Sequence, residues 1–323
     1  MSRISVAVAI ALAVPTLAAG ATKDAKLSLV AYSTPKDAYA KLIPAFQKTS
    51  AGRGVSVSQS YGASGDQARL IVSGLPADVV ELSLAPDIQT LVANHLVSPG
   101  WNKNKWNGIV TRSVVVFVVR GGNPKHIRTW SDLLKPGVQV VTPNPFTSGG
   151  ARWNTMAAYG GALRAGKTPK QAISYLTQLY TKHVVAQPSS AREALQTFLS
   201  GKGDVLLSYE NEAILAKSKG QSVNWVAPKA TILIENPIAV TSTTKHAKEA
   251  KAFVKFLYTP AAQSLFAETG YRPMLKSVAK KFKFTAPRQL FTIEYVGGWS
   301  TVQKKFFDPN HSIMATIEHQ LGG

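Results

Sequence analysis

The sequence has 323 residues, 45% hydrophobic and 17% charged, which is enough for about two domains with their own cores and too apolar for a disordered chain. Its 37 Lys and Arg against 17 Asp and Glu give a net charge of +20, which attracts anions without choosing among a small ion, anionic lipid and nucleic acid. Without cysteine there is no cysteine nucleophile, disulfide, iron–sulfur cluster or lipid-modified cysteine, and the six histidines show no two-histidine spacing on one helix face, so neither metal nor cofactor is expected.

Met1 to Ala21 reads as a secretory signal: Arg3 gives the positive start, Ile4 to Leu17 the apolar run, and Ala19, Gly20 and Ala21 a small-residue cleavage site. The apolar run is shorter than the roughly 20 residues that span a bilayer. Cleavage near Ala21 predicts an exported, cysteine-free chain in a bacterial periplasm. From Lys26 onward, short β-rich runs alternate with helical stretches, which predicts an α/β fold with mainly parallel sheets flanked by helices.

Leu27 to Tyr32 is the first predicted strand. A helix over Pro35 to Lys48 follows, with Tyr39, Leu42, Ile43 and Phe46 at helical spacing, although Pro44 inside it conflicts with an unbroken helix. Strands at Val55 to Gln59 and Val79 to Leu84 bracket a helix beginning at Gln67, and another helix covers Pro86 to Asn94. The apolar run Ser113 to Val119 reads as a strand buried on both faces. After a strand at Val138 to Thr142 come helices at Gly150 to Leu163, Pro169 to Thr181 and Ala191 to Leu199. Asp204 to Ser208 is a short strand, and Ile232 to Val240 a crossing segment before a helix at Lys245 to Leu257. Boundaries near Asn107 to Arg112 and Glu235 to Pro237 divide the mature chain into lobe I (22–110 with 236–323) and lobe II (111–235).

Four predicted strand-to-helix turns carry hydroxyl residues: Ser33-Thr34-Pro35, Ser64-Gly65-Asp66-Gln67, Ser148-Gly149-Gly150-Ala151-Arg152 and Ser189-Ser190-Ala191-Arg192. Each helix start exposes unpaired N–H groups and the positive end of the helix dipole, which suits an anion. Taken singly, such residues are ordinary caps, and Ser64 with Gln67 fits a capping box. Taken together, these turns gather at the carboxyl edges of parallel sheets, so two facing lobes bring four donor-rich turns onto one small anion.

Several blocks carry a resemblance: Ser60 to Gly65 with Gln67 and Ala68, Pro143-Asn144-Pro145 before Ser148 to Asn154, and Tyr209 to Ala213. It continues through Gly270 to Pro273, Leu290 to Ile293 and Gly297 to Trp299. The chain resembles the periplasmic sulfate-binding proteins of ABC transporters, with Ser148 to Asn154 the most specific block. The resemblance implies a two-lobed, hinge-closing periplasmic binding protein of type II, not an enzyme. Such a protein binds sulfate between its lobes through neutral donors and hands it to membrane permease subunits, with thiosulfate or molybdate as alternative ligands. Carried over by position, Ser64 donates from lobe I, and Ser148, Gly149, Gly150 and Ala191 from lobe II. Tyr209 stands where relatives have tryptophan, Ser33 where they often have aspartate, and Phe146 where lysine is common. Arg152 and Arg192 lie just inside helix starts, unfavourable places for a cation, and are expected to face other partners as anchors for the binding loops.

Three competing patterns are weaker. Gly161, Gly166, Lys167 and Thr168 match the P-loop letter for letter, but a helix leads into them and Pro169 follows, where the motif needs a preceding strand. Gly62-Ala63-Ser64-Gly65-Asp66 lacks the second glycine of a nucleophile elbow. Lys280-Lys281-Phe282-Lys283-Phe284 suits nucleic-acid binding, yet charge runs are usually solvated surface, so a monomer without a nucleic-acid partner is expected.

Overall fold

The computed structural model describes residues 25–321, so the predicted export signal lies outside the described residues. The chain begins with β1 (Ala25–Tyr32), α1 (Lys36–Gln47), β2 (Val55–Gly62), α2 (Ser64–Val72), β3 (Val79–Glu81), α3 (Ala85–Ala93) and the long β4 (Ile109–Arg120). Next come β5 (Val140–Val141), α4 (Gly149–Arg164), α5 (Pro169–Lys182), β6 (Val184–Ala186), α6 (Ala191–Leu199), β7 (Val205–Tyr209) and α7 (Glu210–Ser218). The remainder is β8 (Val223–Val226), the long β9 (Ala230–Val240), α8 (Ala247–Leu257), α9 (Pro260–Glu268), β10 (Arg272–Pro273), α10 (Lys276–Ala279), β11 (Gln289–Phe291), α11 (Gly298–Phe306) and α12 (Ile313–His319).

Two groups of parallel strands carry the helices. In the first, β2 and β3 pair with β1; in the second, β6 and β7 pair with β5. The long strands β4 and β9 link the groups as an antiparallel ribbon, from Ile109 opposite Pro237 to Val114 opposite Leu233. The far end of β9 pairs antiparallel with β3, and the far end of β4 pairs antiparallel with β7 and β8. The connected order is β2-β1-β3-β9-β4-β7-β5-β6, so the sheet is parallel within each lobe and mixed where the crossing strands enter. Val114 to Val118 in β4 are fully buried, which is why that run lacks the alternation of a half-exposed strand.

α1 runs through Pro44 without ending. Pro44 and Ala40 both lie on the exposed face, so the carbonyl that loses its intrahelical partner meets water, while Tyr39, Leu42, Ile43 and Phe46 hold the opposite face in the core. α4 is buried over nearly its whole circumference, as befits a helix packed on several sides. Its Gly160 lets Phe291 approach so closely that a Cβ would stand 2.4 Å from the ring. The P-loop lookalike is divided between two helices: Gly161 belongs to α4, and Thr168 caps α5 in a reciprocal box with Gln171. Among the described residues no helix is long and apolar enough to cross a membrane.

Candidate functional site

The strand-to-helix turns of the two groups face each other, and they touch. After β2, the Gly65 N–H donates to the Thr147 carbonyl ahead of α4 at 3.0 Å. After β3, the Ser83 hydroxyl lies 2.5 Å from the Tyr209 hydroxyl at the end of β7, and the Trp153 indole N–H of α4 donates to the Ser83 carbonyl at 3.0 Å. After β1, Ser33 Oγ accepts from the Arg192 N–H in α6 at 3.4 Å. The four hydroxyl-bearing turns predicted from sequence are therefore brought together in a closed arrangement, at the carboxyl ends of strands where ligands of α/β sheets bind.

The lobe II side of this junction is built almost without side chains. A Cβ on Gly150 would stand 3.3 Å from both the Ala191 Cβ and Ser148 Oγ, and 3.5 Å from the Tyr209 ring, so these four residues share one neighbourhood. A Cβ on the adjacent Gly149 would stand 2.6 Å from the Ser83 Cβ across the junction. Ser148 and Ser190 cap their helices, accepting from the Ala151 and Glu193 N–H groups at 3.4 and 3.2 Å. The N–H groups of Gly149, Gly150 and Ala191 belong to first helical turns and have no acceptor within the helix. Among the described residues no other backbone carbonyl takes them up. Tyr209 is buried, which raises its phenol above the ordinary value, so it remains a neutral hydroxyl.

Ser64 behaves differently from the expectation. Ala63, not Ser64, is the cap of α2, and the predicted box with Gln67 does not form because Gln67 turns back to the Ser60 hydroxyl at 3.3–3.4 Å. The Ser64 hydroxyl donates to Asp87 at 2.5 Å and accepts from the Ser83 N–H at 2.8 Å. Its proton is thus committed, and what remains to Ser64 is its first-turn N–H. Burial raises the Asp87 carboxyl, while the charge of Arg152 and the Ser64 hydrogen bond oppose that rise. Ser83 itself was not singled out in the sequence, because Leu82-Ser83-Leu84 reads as the continuation of a strand. The strand ends at Glu81, which makes the turn around Ser83 a fifth hydroxyl-bearing strand-to-helix turn.

Residues 27–272 match the family described as bacterial extracellular solute-binding protein. The chain belongs to that family. The chain is 44% identical to the sulfate-binding protein of Synechococcus elongatus over 299 residues, covering 89% of this chain and 85% of that one. With the Escherichia coli sulfate-binding protein it shares 40% identity, covering 88% and 91% of the respective chains. The solved sulfate-binding protein SubI from Mycobacterium tuberculosis superposes with a TM-score of 0.85 at 45% identity, covering 88% of this chain and all of SubI. These relatives are binding proteins, and this solute-binding protein is a receptor rather than an enzyme.

Arg192 and Arg152 of this solute-binding protein are turned to protein partners. Arg192 places Nε and Nη2 on the Glu212 carboxylate at 3.0 Å each, Nη1 on Asp37 at 2.7 Å and Nη2 on the Thr34 carbonyl at 3.0 Å. Burial lowers its pKa, but the Glu212 and Asp37 carboxylates outweigh burial and hold the guanidinium firmly charged. Arg152 donates to the Pro145 carbonyl at 2.9 Å and to Gln303 at 3.2 Å, fixing the loop that precedes α4. Among the described residues no three His, Asp or Glu side chains are grouped to hold a metal ion.

Proposed function

We propose that this receptor captures sulfate between its two lobes and delivers it to the membrane subunits of an ABC transporter. The observation that carries the reading is the cluster at the lobe junction: unclaimed N–H groups of Gly149, Gly150 and Ala191 beside the Ser148 and Tyr209 hydroxyls. Ser33 and the Ser64 N–H face this cluster from the other lobe. The lobes on this reading are 22–110 with 236–323, and 111–235, hinged on the β4–β9 ribbon. Arg152 and Arg192 hold the binding loops in place and leave the anion to neutral donors.

A cleft of donors suits an ion that only accepts. Sulfate carries no proton near neutral pH, whereas phosphate usually keeps one, and burying that proton without an acceptor costs about 1–3 kcal/mol. Helix first turns also present positive partial charge without the desolvation cost of a buried cation. On this reading the mature chain is cut near Ala21 and acts as a monomer in the periplasm; the predicted signal and the extracellular solute-binding family support that location. Equilibrium binding of labelled sulfate, with thiosulfate and molybdate as competitors, tests the assignment. Displacement by less than stoichiometric thiosulfate or molybdate would reassign the ligand while keeping the cleft.

A further inference from the structure

A strongly one-signed stretch of charge lies away from the cleft. Between Glu268 and Glu294 the chain has no acidic residue, and Lys276, Lys280, Lys281, Lys283 and Arg288 are all exposed. Among the described residues none of these five has an ion-pair partner. The cavities along this segment show what it joins. At one end, Lys276 and Lys105 line a cavity of about 600 Å³. At the other, Arg288 and Lys229 line one of about 290 Å³, and Lys229 also lines a third, of about 310 Å³, with Arg164 and Lys167. No acidic side chain lines any of the three. The result is a basic band that follows the chain from Lys276 to Arg288 between these cavities.

The band is edged by apolar and aromatic side chains. Leu290 and Tyr295, each 40% exposed, are among the few large hydrophobic residues left to solvent, and Phe282 and Phe284 sit half-buried between the lysines. Three of the four aromatic rings carry a cation over one face: Arg272 lies over Phe284 at 5.4 Å, Arg164 over Tyr295 at 4.0 Å, and Lys105 over Trp106 at 4.8 Å. That reduces the ring surface for stacking nucleic-acid bases, which is how single strands are held without sequence preference. Exposed lysines with interspersed aromatic and aliphatic side chains match instead the headgroup region of an anionic bilayer. We propose that this band, from Lys105 through Lys276–Arg288 to Lys229 and Arg164, docks the protein reversibly on anionic lipid. This gives the protein a membrane-surface affinity separate from its ligand cleft.

Flotation of the mature protein with phosphatidylcholine vesicles, with and without about one-third phosphatidylglycerol, tests this directly. The expected result is capture only by the anionic vesicles, lost on raising salt. The triple variant Lys280→Gln, Lys281→Gln, Lys283→Gln is expected to weaken capture on the order of a hundredfold, at about fivefold per cation, with anion binding and melting temperature unchanged. Because these side chains are exposed, the variant tests the surface without disturbing the core. Absence of capture at low salt, equal capture by neutral vesicles, or undiminished capture of the triple variant would each overturn the proposal. Displacement of vesicle-bound protein by single-stranded polynucleotide at lower concentration than by soluble phosphatidylglycerol would assign the band to nucleic acid instead.

Discussion

Gly149 offers a way to prevent closure without touching a donor. Its φ lies outside the left-handed region, so alanine is acceptable to the backbone, and its N–H stays in place. A Cβ there meets the Ser83 Cβ at 2.6 Å, the Leu84 Cδ2 at 2.7 Å and the Ser83 Oγ at 2.7 Å, all on the opposite lobe. The Ser83 Cβ is fixed to the backbone, so relief requires the lobes to part. Overpacking of this kind costs about 1–3 kcal/mol. When the lobes are apart the new methyl meets water and costs nothing, so the penalty falls on the closed form alone. Gly149→Ala is therefore expected to weaken sulfate about 5- to 150-fold in a calorimetric titration, while the melting temperature of the ligand-free protein stays level or rises slightly with better helix propensity. Gly160→Ala is the control, since its Cβ meets Phe291 at 2.4 Å inside the packed lobe, and the cost there falls on stability instead. Unchanged sulfate affinity in folded Gly149→Ala would show that ligand binding and this contact occur in different states.

Three further outcomes follow from the same geometry. Arg192→Ala strands Glu212, whose side chain is fully buried; this should cost about 3–5 kcal/mol and lower the melting temperature by on the order of 10 °C, with recovery when Glu212 is also made apolar. Tyr209→Phe removes the hydroxyl that faces Ser83 across the junction, and a loss of roughly fivefold in sulfate affinity with unchanged stability is expected from titration. The buried Glu81 carboxyl, held by burial near a pKa of about 8 despite its hydrogen bond from Tyr39, makes stability depend on pH. Because the raised group is neutral when folded and ionises on unfolding, stability should fall by up to about 1.4 kcal/mol per pH unit from about pH 4.5 to about pH 8, then level off. Urea melts across that range should show the slope, and Glu81→Gln should flatten it.

How far the sequence is legible depends on where the information sits. Strands such as β4 announce themselves because an unbroken run of buried valines has few other uses, and α6 because its apolar positions and its cap fall at helical spacing. The hydroxyl turns are legible for the same reason, since capping residues are local. Partnerships are not local. Ser64 and Gln67 satisfy the capping-box pattern, yet a carboxylate 23 positions later takes the hydroxyl instead. Ser83 is hidden because a short strand of three residues ends earlier than its apolar neighbours suggest. Pro44 reads as a breaker until the fold puts it on the wet face of α1, and α7 begins with two glutamates, Glu210 and Glu212, that carry no local sign of burial. Both are buried, each answered by an arginine distant in sequence, Arg272 and Arg192. Charge shows a similar division: the sequence displays the run of lysines, while only the fold joins it to Lys105, Lys229 and Arg164 in one band.

On the proposed function, neutral donors at the lobe junction select a fully ionised oxyanion. Titration calorimetry on the mature protein, freed of bound anion and compared with sulfate and phosphate at neutral pH, tests it most directly. Saturable one-to-one binding of sulfate is expected, with phosphate about 5- to 150-fold weaker. Silence from sulfate in folded, ligand-free protein, or phosphate binding as tight as sulfate, would contradict it.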